Sequence, residues 1–190
     1  MAGSQPVEKS SPTMHTVLQG PLPEDALLKT YRGGKHPELW GAYGDCFSAS
    51  IDRSVSLAEL VVAFYTAPVF RIERLILHVL AGSPSSDEEA RQLVAGLRDS
   101  FAVWRVAERT ETQLLMCDRY GKTRSWFRVT PQEPRGTLLQ FGSAVTARRR
   151  ANESLRLSPV FSMLLGFHRF YSKILLRSTL RQLLRTPTPG

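Results

Sequence analysis

The chain has 190 residues, of which 42% are hydrophobic and 22% charged, a balance that excludes collagen-like, coiled-coil and wholly disordered proteins. This length suits one domain and leaves little room for a second. The net charge of +8 is unevenly placed, because residues 1–147 hold 16 Lys and Arg against 16 Asp and Glu, whereas residues 148–190 hold nine against one. The excess charge lies in one terminal element, whereas a nucleic-acid-binding domain usually spreads it over a face.

The first part of the chain, residues 1–40, is rich in Pro, Gly and Ser and sustains no apolar period. We expect a flexible arm there, followed by one domain at residues 41–186 and a tail at residues 187–190. Residues 45–52 alternate apolar and small polar side chains, which predicts a half-buried strand.

Two or three short helices are predicted after this strand. Ser56 and Glu59 have the spacing of a capping box, which predicts a helix that ends near Pro68. Residues 69–80 form a second helical run. Ser86, followed by three carboxylates, predicts the start of a third helix.

An antiparallel meander is predicted from residue 101 onward, because apolar and polar residues alternate and the links are short. The predicted strands are 101–109, 112–118, 123–130 and 137–147. Gly142 has no side chain to pack, and we expect a bulge or bend there where the C-terminal helix crosses the sheet. Trp126 alternates with Arg124 and Arg128, which favours an exposed patch for a partner on that face.

One long C-terminal helix is predicted between the start signal Ser158-Pro159 and the stop signal Thr186-Pro187. Its apolar residues fall in a stripe about 100° wide. Opposite the start of this stripe is a basic ridge, which consists of Arg169, Lys173, Arg177, Arg181 and Arg185. The ridge is either a solvated helix face or a contact surface for an anionic lipid, a nucleic acid or a protein partner.

The predicted order of elements indicates an α+β fold, in which a curved antiparallel sheet grips the C-terminal helix. Four strings within residues 43–184 add a resemblance: Tyr43-Gly44-Asp45-Cys46-Phe47, Ala67-Pro68-Val69-Phe70-Arg71, Trp126-Phe127-Arg128-Val129 and Gly166-Phe167-His168-Arg169-Phe170-Tyr171. Through these four strings the chain resembles the START-like, or polyketide-cyclase-like (SRPBCC), helix-grip superfamily. Within that superfamily it resembles a group of uncharacterised bacterial proteins. The resemblance implies binding of an apolar or aromatic small molecule between sheet and helix. Some members are cyclases, hydrolases or ligand-presenting subunits.

No pattern in the sequence indicates a cofactor or a metal. Nucleotide-binding glycine loops and the GxSxG elbow are absent, the four histidines are scattered, and Cys46 and Cys117 have no CxxC partner. We therefore expect free thiols and no cofactor. Charges interrupt the apolar runs and no signal peptide is recognisable, so we expect a cytoplasmic protein without a transmembrane segment.

The candidate ligand site is a concave face made by alternate residues of four strands and by the C-terminal helix, although plain core packing competes with this interpretation. Its members are Trp104, Leu114, Met116, Phe127, Phe141, Phe167 and Tyr171. His168 and Tyr171 are the candidates for acid or base catalysis.

Three functions stay open: a binding protein for an apolar small molecule, a cyclase- or dehydratase-like enzyme on such a ligand, and an interaction module that uses the basic ridge. A homodimer is compatible with each.

Overall fold

An antiparallel sheet is the centre of the structure, a computed structural model that describes residues 16–31, 44–119, 121, 123–145 and 159–185, with residues 80, 81, 145 and 159–169 described by their backbone alone. The strands in these ranges are β1 (Leu18–Gln19), β2 (Gly44–Ile51), β3 (Ser100–Phe101), β4 (Trp104–Arg109), β5 (Gln113–Asp118), β6 (Thr123–Gln132) and β7 (Gly136–Val145). The helices are α1 (Leu27–Thr30), α2 (Leu57–Thr66), α3 (Pro68–Ala81), α4 (Asp87–Val94) and α5 (Pro159–Arg185). The sheet order is β1-β2-β7-β6-β5-β4-β3. The predicted α+β fold is confirmed, and the curved sheet with its C-terminal helix is consistent with a helix grip.

Local signals fix the short helices as predicted. At the start of α2, Ser56 Oγ accepts a hydrogen bond from Glu59 N at 3.1 Å, and the Glu59 carboxylate accepts one from Ser56 N at 2.8 Å. Ser86 and Glu89 form the same reciprocal pair at the start of α4. Pro68 is the first residue of α3, where its missing N–H costs no intrahelical hydrogen bond.

Two strand predictions differ from the structure. The predicted strand 101–109 is divided into β3 and β4, because the chain reverses at Ala102, whose φ is 51°. The bulge expected at Gly142 is absent, since β7 keeps its register with β2 and β6 through this residue. A bulge lies instead between Val106 and Glu108 of β4.

Gly142 marks a crossing point, but the crossing element is not the C-terminal helix. A Cβ at this position would lie 2.9 Å from Asp45 O, 3.0 Å from the Trp126 ring and 3.2 Å from Leu28 of α1. The glycine is therefore required where the N-terminal part of the chain packs over the sheet.

This N-terminal segment, residues 16–31, covers one face of the sheet, although it lies within the stretch that we expected to be a flexible arm. β1 pairs with β2, and Ala26, Leu27 and Leu28 are buried against Cys46 and Trp126. Trp126 is 0% exposed, so the prediction of an exposed patch around it is wrong. The sequence gives little sign of this packing because the segment buries only a short apolar run.

The other face of the sheet packs against α2 and α5 and forms the main core. The Phe64 ring of α2 lies 4.8 Å from the Phe127 centroid and 4.7 Å from that of Phe141. Leu176 and Leu180 of α5 are buried in the same core. Helix α2 therefore occupies much of the space between the sheet and α5. Cys46 and Cys117 are free thiols, as predicted.

None of the helices in the described ranges is both long enough and apolar enough to cross a membrane.

Candidate functional site

A cavity of about 190 Å³ lies between the sheet, α3 and the middle of α5. One part of its wall is apolar or aromatic: Phe64, Tyr65, Phe70, Trp104, Phe141 and Leu175. Another part is polar: Glu73, Thr123, Ser125, Ser143, Tyr171 and Ser172. Arg124 also borders the cavity, but its guanidinium lies 4.9 Å over the ring of Tyr31, which belongs to the N-terminal segment. The cavity thus suits a molecule with an apolar body and a polar group.

The structure brings three of the sequence-predicted ligand residues together at this cavity: Trp104, Phe141 and Tyr171. The other three with described side chains do not line this cavity, because they are buried in the main core: Leu114, Met116 and Phe127. The side chains of Phe167, His168 and Arg169 lie outside the described part of the structure. The catalytic candidate that can be placed is therefore Tyr171.

Glu73 is the functional candidate that sequence reasoning missed. It lies three residues after the buried Phe70, on the inward side of α3, and its carboxylate accepts a hydrogen bond from the Tyr171 hydroxyl. Burial raises the pKa of Glu73, although this hydrogen bond opposes the change. Burial and the nearby carboxylate raise the pKa of Tyr171 well above its ordinary value. The available signal was the spacing from Phe70, which places a carboxylate on the buried side of the helix.

Four other apolar residues of α3 point the opposite way and are more than half exposed: Ile72, Leu75, Ile76 and Val79. On the inward side of this helix, Phe70 and Leu77 pack against the main core. Glu73 is therefore a carboxylate among apolar residues on that side.

Among the residues that line the cavity, the Tyr65 hydroxyl and the Trp104 indole N–H are buried donors that have no hydrogen-bond partner in the described residues. Tyr65 is 1% and Trp104 9% exposed. Burial and the charge of Glu73 both raise the pKa of Tyr65, which places its hydroxyl in the field of that carboxylate. Leaving a buried polar group unsatisfied costs about 1–3 kcal/mol. Such groups beside a cavity are therefore candidates to bind something within it.

The polar end of the cavity is built on strands β6 and β7. Ser125 and Ser143 lie opposite each other in the ladder. Ser143 N and Oγ donate to Asp45 Oδ1 of β2 at 3.0 and 2.6 Å, which fixes the serine in place. The hydroxyls supply polar contacts, and Glu73 with Tyr171 can exchange a proton with a bound molecule. In the described ranges, no three His, Cys, Asp or Glu side chains are grouped as metal ligands.

Two other cavities border described residues, and neither joins an aromatic wall to buried unpartnered donors. One, of about 380 Å³, lies beside Arg71 and Arg74, each of which forms an ion pair with Asp87. The other, of about 250 Å³, lies between the start of α2 and the β4–β5 turn and includes Leu114. The cavity at Glu73 is the better candidate site.

The basic-ridge residues whose side chains the structure describes do not line this cavity. Arg177, Arg181 and Arg185 are exposed, and they form no ion pair with any other described residue, while Lys173 is half-buried. Phe170 and Leu184 of the same helix are also exposed. The outer side of α5 therefore presents free cations together with apolar side chains.

Comparisons with known proteins give distant structural similarity. The chain matches no protein-family model, and no curated protein is significantly similar to it. It is similar to EF2215 of Enterococcus faecalis, a conserved protein of unknown function, with 13% identity, a TM-score of 0.35 and coverage of 79% of this chain and 77% of that one. It is also similar to CalU16 of Micromonospora echinospora, with 14% identity, a TM-score of 0.30 and coverage of 74% and 83%.

Proposed function

We propose that this protein binds a small apolar or aromatic molecule in the cavity between the sheet and α5. The proposal is supported by an aromatic wall next to two buried donors, Tyr65 Oη and Trp104 Nε1, for which the described part of the chain supplies no acceptor. It agrees with the resemblance to START-like (SRPBCC) helix-grip proteins, in which the ligand lies between sheet and helix. Under this proposal the chain is a binding protein of that superfamily.

The volume limits the ligand to about one ring. An apolar cavity of about 150 Å³ is enough to hold benzene. Sites for drug-sized ligands occupy about 300–1,000 Å³. At about 190 Å³ the cavity lies between these limits, close to the smaller one. A single aromatic ring with a short side chain fits, whereas a polycyclic molecule requires the walls to move.

Native mass spectrometry of the purified protein, with solvent extraction of what leaves on denaturation, tests the proposal. We expect a stoichiometric adduct, or binding of added one-ring aromatics to an empty protein. Ser125→Phe fills the cavity from β6 and should abolish binding. Thr130→Phe adds the same ring to the same strand outside the cavity and should leave binding unchanged. Absence of any adduct and of any binding by added one-ring compounds would reject the proposal.

A second candidate function is attachment to an anionic lipid surface through the basic ridge. Its specific support is a set of exposed arginines, Arg177, Arg181 and Arg185, that form no ion pair within the described ranges. Phe170 and Leu184 are exposed on the same helix, and basic and apolar side chains together favour a membrane surface. Replacing the three arginines by glutamine should abolish co-sedimentation with phosphatidylserine vesicles, whereas replacing them by lysine should preserve it. Binding that is insensitive to salt, or that occurs with an oligonucleotide and not with vesicles, would contradict this candidate.

A further inference from the structure

The charge of Glu73 has no cationic counterpart among the described side chains around the cavity. Its carboxylate accepts a hydrogen bond from Tyr171. Its basic neighbours on α3, Arg71 and Arg74, both form ion pairs with Asp87. The Glu73 side chain is only partly exposed. A charge that is poorly solvated is costly unless it is paired, so this carboxylate is a candidate site for an incoming cation.

The other charged groups near the cavity do not supply that cation. The Arg124 guanidinium is stacked over Tyr31. Lys173 follows Tyr171 by two residues on α5, which places it about 200° around the helix from the Tyr171 side. Asp45, behind Ser143, is a second carboxylate and adds to the negative field. The described charges at this site therefore favour a positively charged ligand group.

The aromatic rings beside Glu73 suit such a group as well. The Phe70 ring centroid lies 5.0 Å from that of Tyr65 and 5.7 Å from that of Trp104. Aromatic faces attract ammonium groups, most strongly where water is excluded. The Tyr65 hydroxyl has no partner in the described residues, and its oxygen can accept a hydrogen bond from an ammonium.

We infer that the ligand of this cavity is a small arylalkylamine, bound with its ammonium between Glu73 and the Tyr65 and Tyr171 hydroxyls and its ring in the apolar part of the cavity. This inference rests on the proposed function and specifies its ligand class. The indole N–H of Trp104 is a donor only, so a hydroxyl or ether oxygen on the same ligand satisfies it. A carboxylate ligand of the same size is repelled.

Three compounds of similar size and different charge test the inference: phenethylamine, 2-phenylethanol and phenylacetate. Their affinities for the wild-type chain are measured by calorimetry. We expect the amine to bind at least about tenfold more tightly than the alcohol, because a desolvated charge pair adds affinity that the alcohol lacks. We expect the carboxylate not to bind. If the alcohol or the carboxylate binds as tightly as the amine, the inference is wrong and the proposed function stands. If none of the three binds, the inference fails, and the proposed function fails with it when native mass spectrometry also finds no adduct.

Variants locate the effect at the carboxylate. Glu73→Gln should lower the affinity for phenethylamine by about tenfold or more. It should change the affinity for 2-phenylethanol by less than about twofold. Glu111→Gln removes the same charge from an exposed turn and is the matched control. Circular dichroism tests whether each variant is folded. If Glu73→Gln does not fold, the affinities of the three compounds for the wild-type chain still test the inference. An equal loss for amine and alcohol in a folded Glu73→Gln variant would overturn the inference.

Discussion

Trp126 and Trp104 lie on opposite faces of the same sheet, and their surroundings differ. Trp126 is enclosed by the N-terminal segment, and its indole N–H donates to Gln113 Oε1 at 2.8 Å. Gln113 Oε1 also accepts from Leu27 N at 3.0 Å. The indole N–H of Trp104 has no partner in the described residues and borders a cavity. Trp126 is thus enclosed by packing and its donor is satisfied, whereas Trp104 lines a cavity and its donor has no partner in the described residues.

The difference separates two uses of a buried aromatic residue. Where every donor is satisfied and no space is left, the residue stabilises the fold. Where a donor is buried without a partner beside a cavity, the fold bears a cost that a ligand can offset.

The largest effect is expected for Trp126→Ala, which should lower the free energy of unfolding by about 3–5 kcal/mol because it leaves a void in a closed core. Trp104→Ala should lower the free energy of unfolding by less, since Trp104 already lines a cavity. Urea unfolding followed by circular dichroism measures both. Equal losses would show that the two faces are packed alike.

Gln113→Leu is expected to lower the free energy of unfolding by about 2–3 kcal/mol, because it leaves the Trp126 indole N–H and Leu27 N buried without an acceptor. Gln132→Leu, at an exposed position in β6, should change it by less than about 0.5 kcal/mol. Chemical denaturation of both variants measures the difference. Similar values for the two would mean that the hydrogen bonds of Gln113 contribute little to closing this face.

Glu73→Gln should change how stability depends on pH. Burial raises the pKa of Glu73 in the folded state, so the folded chain holds this proton more tightly than the unfolded chain. By linkage, this group makes the free energy of unfolding fall as the pH rises from the unfolded to the folded pKa. The glutamine variant lacks this decrease in the free energy of unfolding. It should therefore become more stable relative to wild type as the pH rises towards neutral. Parallel curves for the two proteins from acidic to neutral pH would contradict the prediction.

The smallest effect is expected for Tyr65→Phe, which removes a hydroxyl that has no partner in the described residues. It should leave the free energy of unfolding unchanged or raise it by up to about 1 kcal/mol. Tyr171→Phe makes the same chemical change but removes the hydrogen bond to Glu73, and should cost about 1–3 kcal/mol. A larger loss for Tyr65→Phe than for Tyr171→Phe, in thermal melts of both, would reverse the assignment.

Local signals predicted most of the fold. The Ser56 and Ser86 caps and Pro68 act within one helical turn, and alternation along β5, β6 and β7 depends only on neighbouring residues. The turn at Ala102 was missed because an alanine with positive φ has no sequence signature. The N-terminal segment was missed for another reason: Leu27 and Leu28 become buried only after distant strands have formed the face that they cover.

The candidate site was predicted in part. Trp104, Phe141 and Tyr171 followed from strand alternation and from the apolar stripe of the last helix. Tyr65 resembled an ordinary core residue, because nothing local shows that its hydroxyl lacks a partner. Glu73 was seen only as a charge that interrupts an apolar run. Its pairing with Tyr171 joins residues 98 positions apart, and such convergence is visible only in three dimensions.

The strands at both edges of the described sheet are poorly suited to pairing with a strand of another chain. Among the strands of the described ranges, the outermost, β1 and β3, have only two residues each, and the bulge in β4 lies next to one of them. Short edges and bulges offer a second chain few aligned N–H and C=O groups, which limits strand addition and aggregation. If two copies of this chain associate, we therefore expect them to meet through helices. The exposed apolar side of α3 offers a contact that needs no backbone pairing.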